Sequence, residues 1–287
     1  MLLLGAFAAV ALLLAAIGVY VFVVLAAARE FVRRFVVTRQ GESGMRIAIV
    51  SDIHGNLTAL DAVIADLKRV GTDSVIHGGD LVGGGSSPAE IIDRVRDLGW
   101  PGVYGNADEM LWAPCRVTET LQAPHLHRVR DLLLTYTIPA TLEAIGNERL
   151  AWLRSLPLRW TMDDLTVVHA APDDAWRSPF ANASDDDLER TYGSLGSRSV
   201  VYGHIHQPYV RRLSSCTVAN SGSVSLSFDG DPRAAYALVD DDRIEIRRVS
   251  YDVEDEVRKL GKSRDPFASS NAATLRTGKY VPLPDQP

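Results

Sequence analysis

Cysteine is nearly absent from this 287-residue chain: Cys115 and Cys216 stand far apart, and no C-x-x-C pair occurs. That excludes a zinc ribbon and a dense disulfide framework, and it suits a reducing compartment. The glycine-rich run Gly83-Gly84-Gly85-Ser86-Ser87 lacks the lysine of a P-loop. A P-loop NTPase is therefore excluded, and the run is a candidate wall of a substrate pocket. Positive charge is also short. The net charge is −6, and residues 1–44 hold four arginines against two glutamates, which leaves −8 on the remainder. An acidic globular part exerts no general pull on a nucleic-acid backbone. It still admits a nucleotide substrate, because bound cations can set the local field.

Charge of either sign is missing from Leu2 to Ala28, and so is proline. A run of roughly 27 such residues is long enough to cross a bilayer core. A secretory signal would have a basic start and a shorter apolar stretch, which this run lacks. Arg29, Arg33, Arg34 and Arg39 flank only its C-terminal side. The expectation is a single-pass anchor with the main domain on the cytoplasmic side. The alternative is a soluble cytoplasmic protein whose translation starts at Met45, directly before the first predicted strand.

From Met45 onward the pattern alternates strand and helix. Arg46 to Ile53 is apolar and β-branched, as a buried parallel strand is. Leu57, Leu60, Val63, Ile64 and Leu67 recur at helical spacing, with Gly71 as a stop. Ser74–Ile76 reads as a second strand, Ser87-Pro88-Ala89-Glu90 as a capping box opening a helix to Leu98, and Gly102–Tyr104 as a third strand. This β-α-β-α-β order implies a parallel sheet. Residues 107–157 read as a mainly helical insertion. Strands are then predicted at 158–162, 165–169, 199–202, 209–213, 217–219, 234–239 and 244–249, with a short helix at 185–192. The expected architecture is α/β: two packed mixed β-sheets flanked by helices, preceded by one hydrophobic helix. Three regions are expected: an N-terminal helix and basic linker (1–44), a catalytic domain (45–253), and a C-terminal helix with a surface tail (254–287).

Five short segments end apolar strands: Ser51-Asp52-Ile53-His54-Gly55-Asn56, Gly78-Gly79-Asp80, Gly105-Asn106, Val167-Val168-His169 and Gly203-His204-Ile205-His206. Strand ends are where open α/β sheets place their sites. Alternation predicts Asp52 and His54 on one side, and His204 with His206. Carboxylate, amide oxygen and imidazole without thiolate suit manganese, with iron, zinc or nickel as further candidates. Seven donors, Asp52, His54, Asp80, Asn106, His169, His204 and His206, are too many for one ion and fit two that share a carboxylate. Two cations about 3.5–4 Å apart clamp both oxygens of an in-line displacement at phosphorus. A strand-end histidine standing alone is usually just hydrogen-bonded; the case rests on the joint set.

The motifs D-x-H, G-D, G-N, H and G-H-x-H resemble those of the calcineurin-like metallophosphoesterase superfamily, from Met45 to about Val253. Within it the chain is similar to the small bacterial phosphodiesterases and the diadenosine-tetraphosphatase-like group. The stretch Tyr202–Pro208, then Asn220-Ser221-Gly222-Ser223-Val224 and Asp231–Tyr236, carries that likeness, with N-S-G-S where the group has N-P-G-S. The resemblance implies the αββα sandwich of that superfamily and a dinuclear centre. One ion would take Asp52, His54, Asp80 and His206, and the other Asp80, Asn106, His169 and His204, with a bridging hydroxide attacking phosphorus. It implies a small phosphoester or nucleotide substrate. Many members have histidine after G-N, where this chain has Ala107 followed by Asp108. That removes an acid for the leaving group, and Asp108 is expected to be a solvated loop carboxylate. The alternative function is a catalytically weak, membrane-tethered metal- or nucleotide-binding protein. His77 is expected to be structural, His125 and His127 to be surface residues, and Asn56 to cap a helix.

Overall fold

A computed structural model describes residues 45–241 and 243–283. The predicted N-terminal helix and linker, 1–44, lie outside the described residues. Among the described residues no helix is long and apolar enough to cross a membrane.

Two mixed sheets face each other. The first joins β1 (Arg46–Val50), β2 (Ser74–His77), β8 (Ala234–Asp240) and β9 (Arg243–Val249) in the order β2-β1-β8-β9. The second joins β3 (Arg159–Met162), β4 (Leu165–Val168), β5 (Ser199–Tyr202), β6 (Tyr209–Arg212) and β7 (Thr217–Asn220) in the order β3-β4-β5-β7-β6. β1 pairs parallel with β2, and β4, β5 and β7 run parallel; β1–β8, β8–β9, β3–β4 and β6–β7 pair antiparallel. Period-two alternation divides the core. Ile47, Ile49, Ala237 and Val239 meet Leu165, Val167, Val201 and Ala219 between the sheets. Ala48, Val50, Tyr236 and Leu238 turn the other way and pack under helices. On the far side of the second sheet, Val168, Val200, Tyr202 and Val218 pack with Leu188 and Tyr192.

Helices cover both outer faces. α1 (Leu57–Val70) follows β1, and the side chain of Asn56 caps it by accepting from the Ala59 N–H at 2.9 Å. Such a cap contributes about 1 kcal/mol. Gly71 closes the helix in the left-handed conformation. α2 (Pro88–Asp97) packs beside it, but the predicted capping box does not form. Ser87 makes no side-chain cap bond; its N–H donates to the Gly55 carbonyl, and Ser86 beside it donates to Glu256. The glycine loop is thus held by neighbouring chain rather than by its own helix.

The predicted third strand is reduced to one parallel bridge between Gly102 and His77. Beyond it the Tyr104 N–H turns to the Pro157 carbonyl, which ends the ladder. The insertion is helical: α3 (Asn106–Glu109), α4 (Cys115–Thr120), α5 (His127–Leu132) and α6 (Ile138–Ser155), the last broken at Gly146. α7 (Asp185–Tyr192) matches the predicted helix. The predicted surface tail differs. After α8 (Val253–Leu260), the chain forms α9 (Ala268–Thr277), and Leu260 and Leu275 bury a small cluster with Leu226.

Candidate metal centre

The centre is built at strand ends drawn from both sheets. Asp52 and His54 follow β1, Asp80 follows β2, Asn106 begins α3, His169 follows β4, and His204 and His206 follow β5. Backbone hydrogen bonds lock these ends together. The Asp52 N–H donates to Gly79 at 3.0 Å, His54 to Asp80 at 2.9 Å, and Gly203 to His169 at 2.9 Å. Ser225 N–H and the Ser223 hydroxyl both donate to the Asp52 carbonyl, tying the β7–β8 connection to the same point.

Asp52, His54, Asp80, His204 and His206 all have positive φ, between 48° and 68°. Non-glycine residues visit this region rarely, Asp and His more readily than most, and its concentration at one place marks a functional site. Strand alternation is therefore not what aligns Asp52 with His54, or His204 with His206. Both pairs lie past the last strand residue, where left-handed turns aim the side chains. Glycine is required beside two of the donors for space. A Cβ on Gly105 would collide with the Asp80 carboxylate, and one on Gly203 with Asp52 and Ser51.

All seven predicted residues converge. His206 Nε2 lies 3.2 Å from Asp52 Oδ1. His54 Nε2 and His169 Nε2 lie 3.6 and 3.5 Å from Asp80 Oδ2. His169 Nε2 and His204 Nδ1 approach the Asn106 side-chain oxygen at 3.0 and 2.8 Å. Donor atoms of Asp52, His54 and His206 fall within 4.8 Å of one another, as do those of Asp52, Asp80 and His169. Asp52 therefore touches both groups, while Asp80 lies beside a histidine of each.

The ring orientations test whether cations fit. His54 Nδ1 donates to the Gly83 carbonyl at 2.6 Å, His169 Nδ1 to Gly78 at 2.8 Å, and His206 Nδ1 to Leu226. Spending the Nδ1 proton on a carbonyl leaves Nε2 of the neutral ring as a lone pair aimed inward. His54 Nε2 and His206 Nε2 then face each other at 3.2 Å. Both nitrogens thus front the same point beside Asp52, where one cation can be shared. The donor set fits divalent metal.

Without cations the electrostatics split the histidines. Burial acts to raise the Asp52 pKa, but the charge and hydrogen bond of His206 outweigh it and hold the carboxyl well below its usual range. Burial would lower His206 and His169; Asp52 beside the first and Asp80 beside the second win, and both are raised. Burial lowers His54, and burial with the neighbouring His169 pushes His204 down to about 4.

Asp108 is not the solvated carboxylate expected. It is fully buried and accepts from the Leu81, Val82 and Gly105 N–H groups at 3.0, 3.3 and 3.0 Å. Burial, and then the charge of Asp80, push it up to about 7. His77 is buried against Trp152, with ring centroids 6.1 Å apart, and burial pushes it down to about 3, so it is a neutral core residue. His125 and His127 are exposed.

Other contributors left little trace in the sequence. Carbonyls of Gly78, Gly83 and Leu226 carry no side-chain signal at all. Asn220 donates to the Gly203 carbonyl and fixes the turn that presents His204. A cavity of about 220 Å³ opens on the centre, and Phe228, Asn271, Thr274, Tyr280 and Val281 share its lining with His54, Asp80, Asn106, His204 and His206.

In this fold such donors serve hydrolysis at phosphorus, and the molecule is of the metallophosphoesterase class. The model of the calcineurin-like phosphoesterase superfamily domain matches residues 45–243, and the chain belongs to that superfamily. It is 32% identical over 243 residues to the uncharacterized protein MJ0912 of Methanocaldococcus jannaschii, covering 77% of this chain and 93% of that one. It is 23% identical over 212 residues to the phosphodiesterase YfcE of Escherichia coli, covering 70% and 91%. Among solved structures, a metallophosphoesterase from Sphaerobacter thermophilus superposes with a TM-score of 0.67 at 28% identity, covering 82% of this chain and 99% of that one.

Proposed function

We propose that the chain hydrolyses small phosphoesters, diesters or nucleotides, with Asp52, His54, Asp80, Asn106, His169, His204 and His206 holding two divalent cations. The observation that carries this is the pair of inward-facing donor groups joined through Asp52 and Asp80. The phosphodiesterase named among its relatives supports a diester substrate. Asp52, His54, Asp80 and His206 would hold one ion, and Asp80, Asn106, His169 and His204 the other. When bound, such ions supply Lewis acidity at a phosphoryl oxygen and lower the pKa of water to near neutrality.

The chain's own residues set the rest. Two buried carboxylates and neutral imidazoles leave two divalent cations in excess positive charge, which favours an oxyanion. The Ala107 N–H donates to Asp80 Oδ1 at 2.7 Å, so the backbone after Asn106 orients the carboxylate between the two groups. Its methyl side chain offers no proton to a leaving group. Asp108 has its oxygens turned to three N–H groups and does not replace that acid.

The test is hydrolysis of bis-p-nitrophenyl phosphate by the full chain, metal-stripped and then reloaded with Mn²⁺, beside Asp80→Asn. Turnover should require metal and fall about a hundredfold or more in the variant, beyond what loss of an outer-shell partner costs. Equal rates with and without metal would defeat the proposal.

A further inference from the structure

The superfamily match ends at residue 243, yet the chain beyond it returns to the metal centre. Glu256, fully buried, accepts from the Ser86 N–H at 2.9 Å and its hydroxyl at 3.2 Å. The Asn271 amide donates to the Gly84 carbonyl at 2.9 Å. The segment after α9 is fastened in turn: Gly230 N–H donates to Gly278 at 2.7 Å, Val281 N–H to the Thr274 hydroxyl at 3.0 Å, and the Ser270 hydroxyl to the Val281 carbonyl. Tyr280 is thereby held at the edge of the cavity whose floor is His54, Asp80, Asn106, His204 and His206.

An aromatic column rises from that floor. Phe228 stacks on His206 with centroids 4.5 Å apart and planes 16° apart. Tyr280 stands on Phe228 at 5.5 Å and 80°, an edge-to-face pair. In that geometry at least one face of the Tyr280 ring is free of Phe228, and the residue is 60% exposed. The cavity, about 220 Å³, is smaller than the roughly 300–1,000 Å³ of a site that encloses a whole ligand. An ester whose phosphate sits at the metal donors therefore extends its organic group beyond the cavity, and the exposed Tyr280 ring is on the lining. A bare phosphate or an aliphatic ester has no use for an open aromatic face there.

We propose that Tyr280, carried by the C-terminal segment, is a specificity residue that stacks on the nucleobase of a nucleoside 5′-phosphoester whose phosphate is bound at the metal centre. This rests on the hydrolase proposal and names its substrate class. Base–aromatic stacking corresponds to roughly a tenfold or larger change in affinity.

The experiment is calorimetric titration of the Mn²⁺-loaded full chain with AMP, ribose 5-phosphate and inorganic phosphate, for the wild type, Tyr280→Ala and Tyr280→Phe. The wild type should bind AMP about tenfold or more tightly than ribose 5-phosphate. Tyr280→Ala should erase that preference, while Tyr280→Phe should keep it. Equal binding of AMP and ribose 5-phosphate by the wild type overturns the proposal. So does a preference that survives Tyr280→Ala, or a variant that weakens all three ligands alike, which marks a merely structural role. Hydrolysis of bis-p-nitrophenyl phosphate by the same preparations keeps the two proposals apart. Turnover without a base preference defeats the stacking site alone, and a base preference without turnover defeats the hydrolase alone.

Discussion

Replacing Asp108 by alanine should destabilise the metal-free protein severely, although the residue carries no predicted chemistry. Its carboxylate accepts three buried N–H groups, two from the residues just after Asp80 and one from Gly105, just before Asn106. Each stranded donor costs about 1–3 kcal/mol, and partial relaxation brings the sum to about 3–5 kcal/mol. In a domain of this size about 2–4 °C accompanies each kcal/mol, so the melting temperature should fall by roughly 10 °C. The pH dependence has a definite sign. Burial and Asp80 raise the carboxyl to about 7, above its unfolded value near 4. A raised carboxyl contributes fully below the unfolded pKa and loses that contribution as pH climbs through the folded one. The gap between wild type and Asp108→Ala should therefore be wider at pH 5 than at pH 8. Scanning calorimetry of both proteins in chelator at the two pH values measures it. A gap under about 2 °C, or one that widens with pH, would refute the account of these three hydrogen bonds.

The site carries two further expected outcomes. Metal binding should release protons, because His169 and His206 are raised above their ordinary value in the ion-free protein. Mn²⁺ titrations at pH 7 in buffers of different ionisation heat should give different enthalpies, affinity should fall from pH 8 to pH 6, and a buffer-independent enthalpy would contradict the protonation of these two rings. Ala107→His should flatten the dependence of kcat/KM on leaving-group pKa across a series of aryl phosphodiesters, because an imidazole there can protonate the departing oxygen. A slope as steep as that of the wild type would show that position 107 does not reach the leaving group.

Much of the fold could be read from periodicity. Strands β4 to β9 are short β-branched or apolar runs bounded by turn residues, and helix α7 follows a capping serine, so their positions fell within a residue or two of those expected. The clustered donor residues were legible because side-chain chemistry and strand-end position are both written in one dimension. What escaped was context. Asp108 in a polar loop looks solvated until the chain folds α3 against the Asp80 turn and leaves its carboxylate as the shared acceptor for three amides. Ser87 carries a capping signature, yet the long-range partner Glu256 captures the loop before it. The tail beyond Lys262 has weak periodicity because α9 buries only Ser270, Thr274 and Leu275, too few to print an amphipathic stripe.

Alternation placed Asp52 and His54 together for the wrong reason, and the right one bears on how the centre works. Five of its residues sit in left-handed backbone. At about 1–3 kcal/mol each, with Asp and His at the low end, the strain is a sizeable part of a domain's net stability of about 5–15 kcal/mol. The surrounding structure contributes to offsetting it. The offset is visible in the apolar layer between the sheets and in the cross-links Asp52 to Gly79, His54 to Asp80 and Gly203 to His169. The donors are thus aimed by backbone that is already committed. Cations then take the place of protons on His169 and His206 rather than assembling the site, which is the condition for electrostatic preorganisation at a reacting phosphorus.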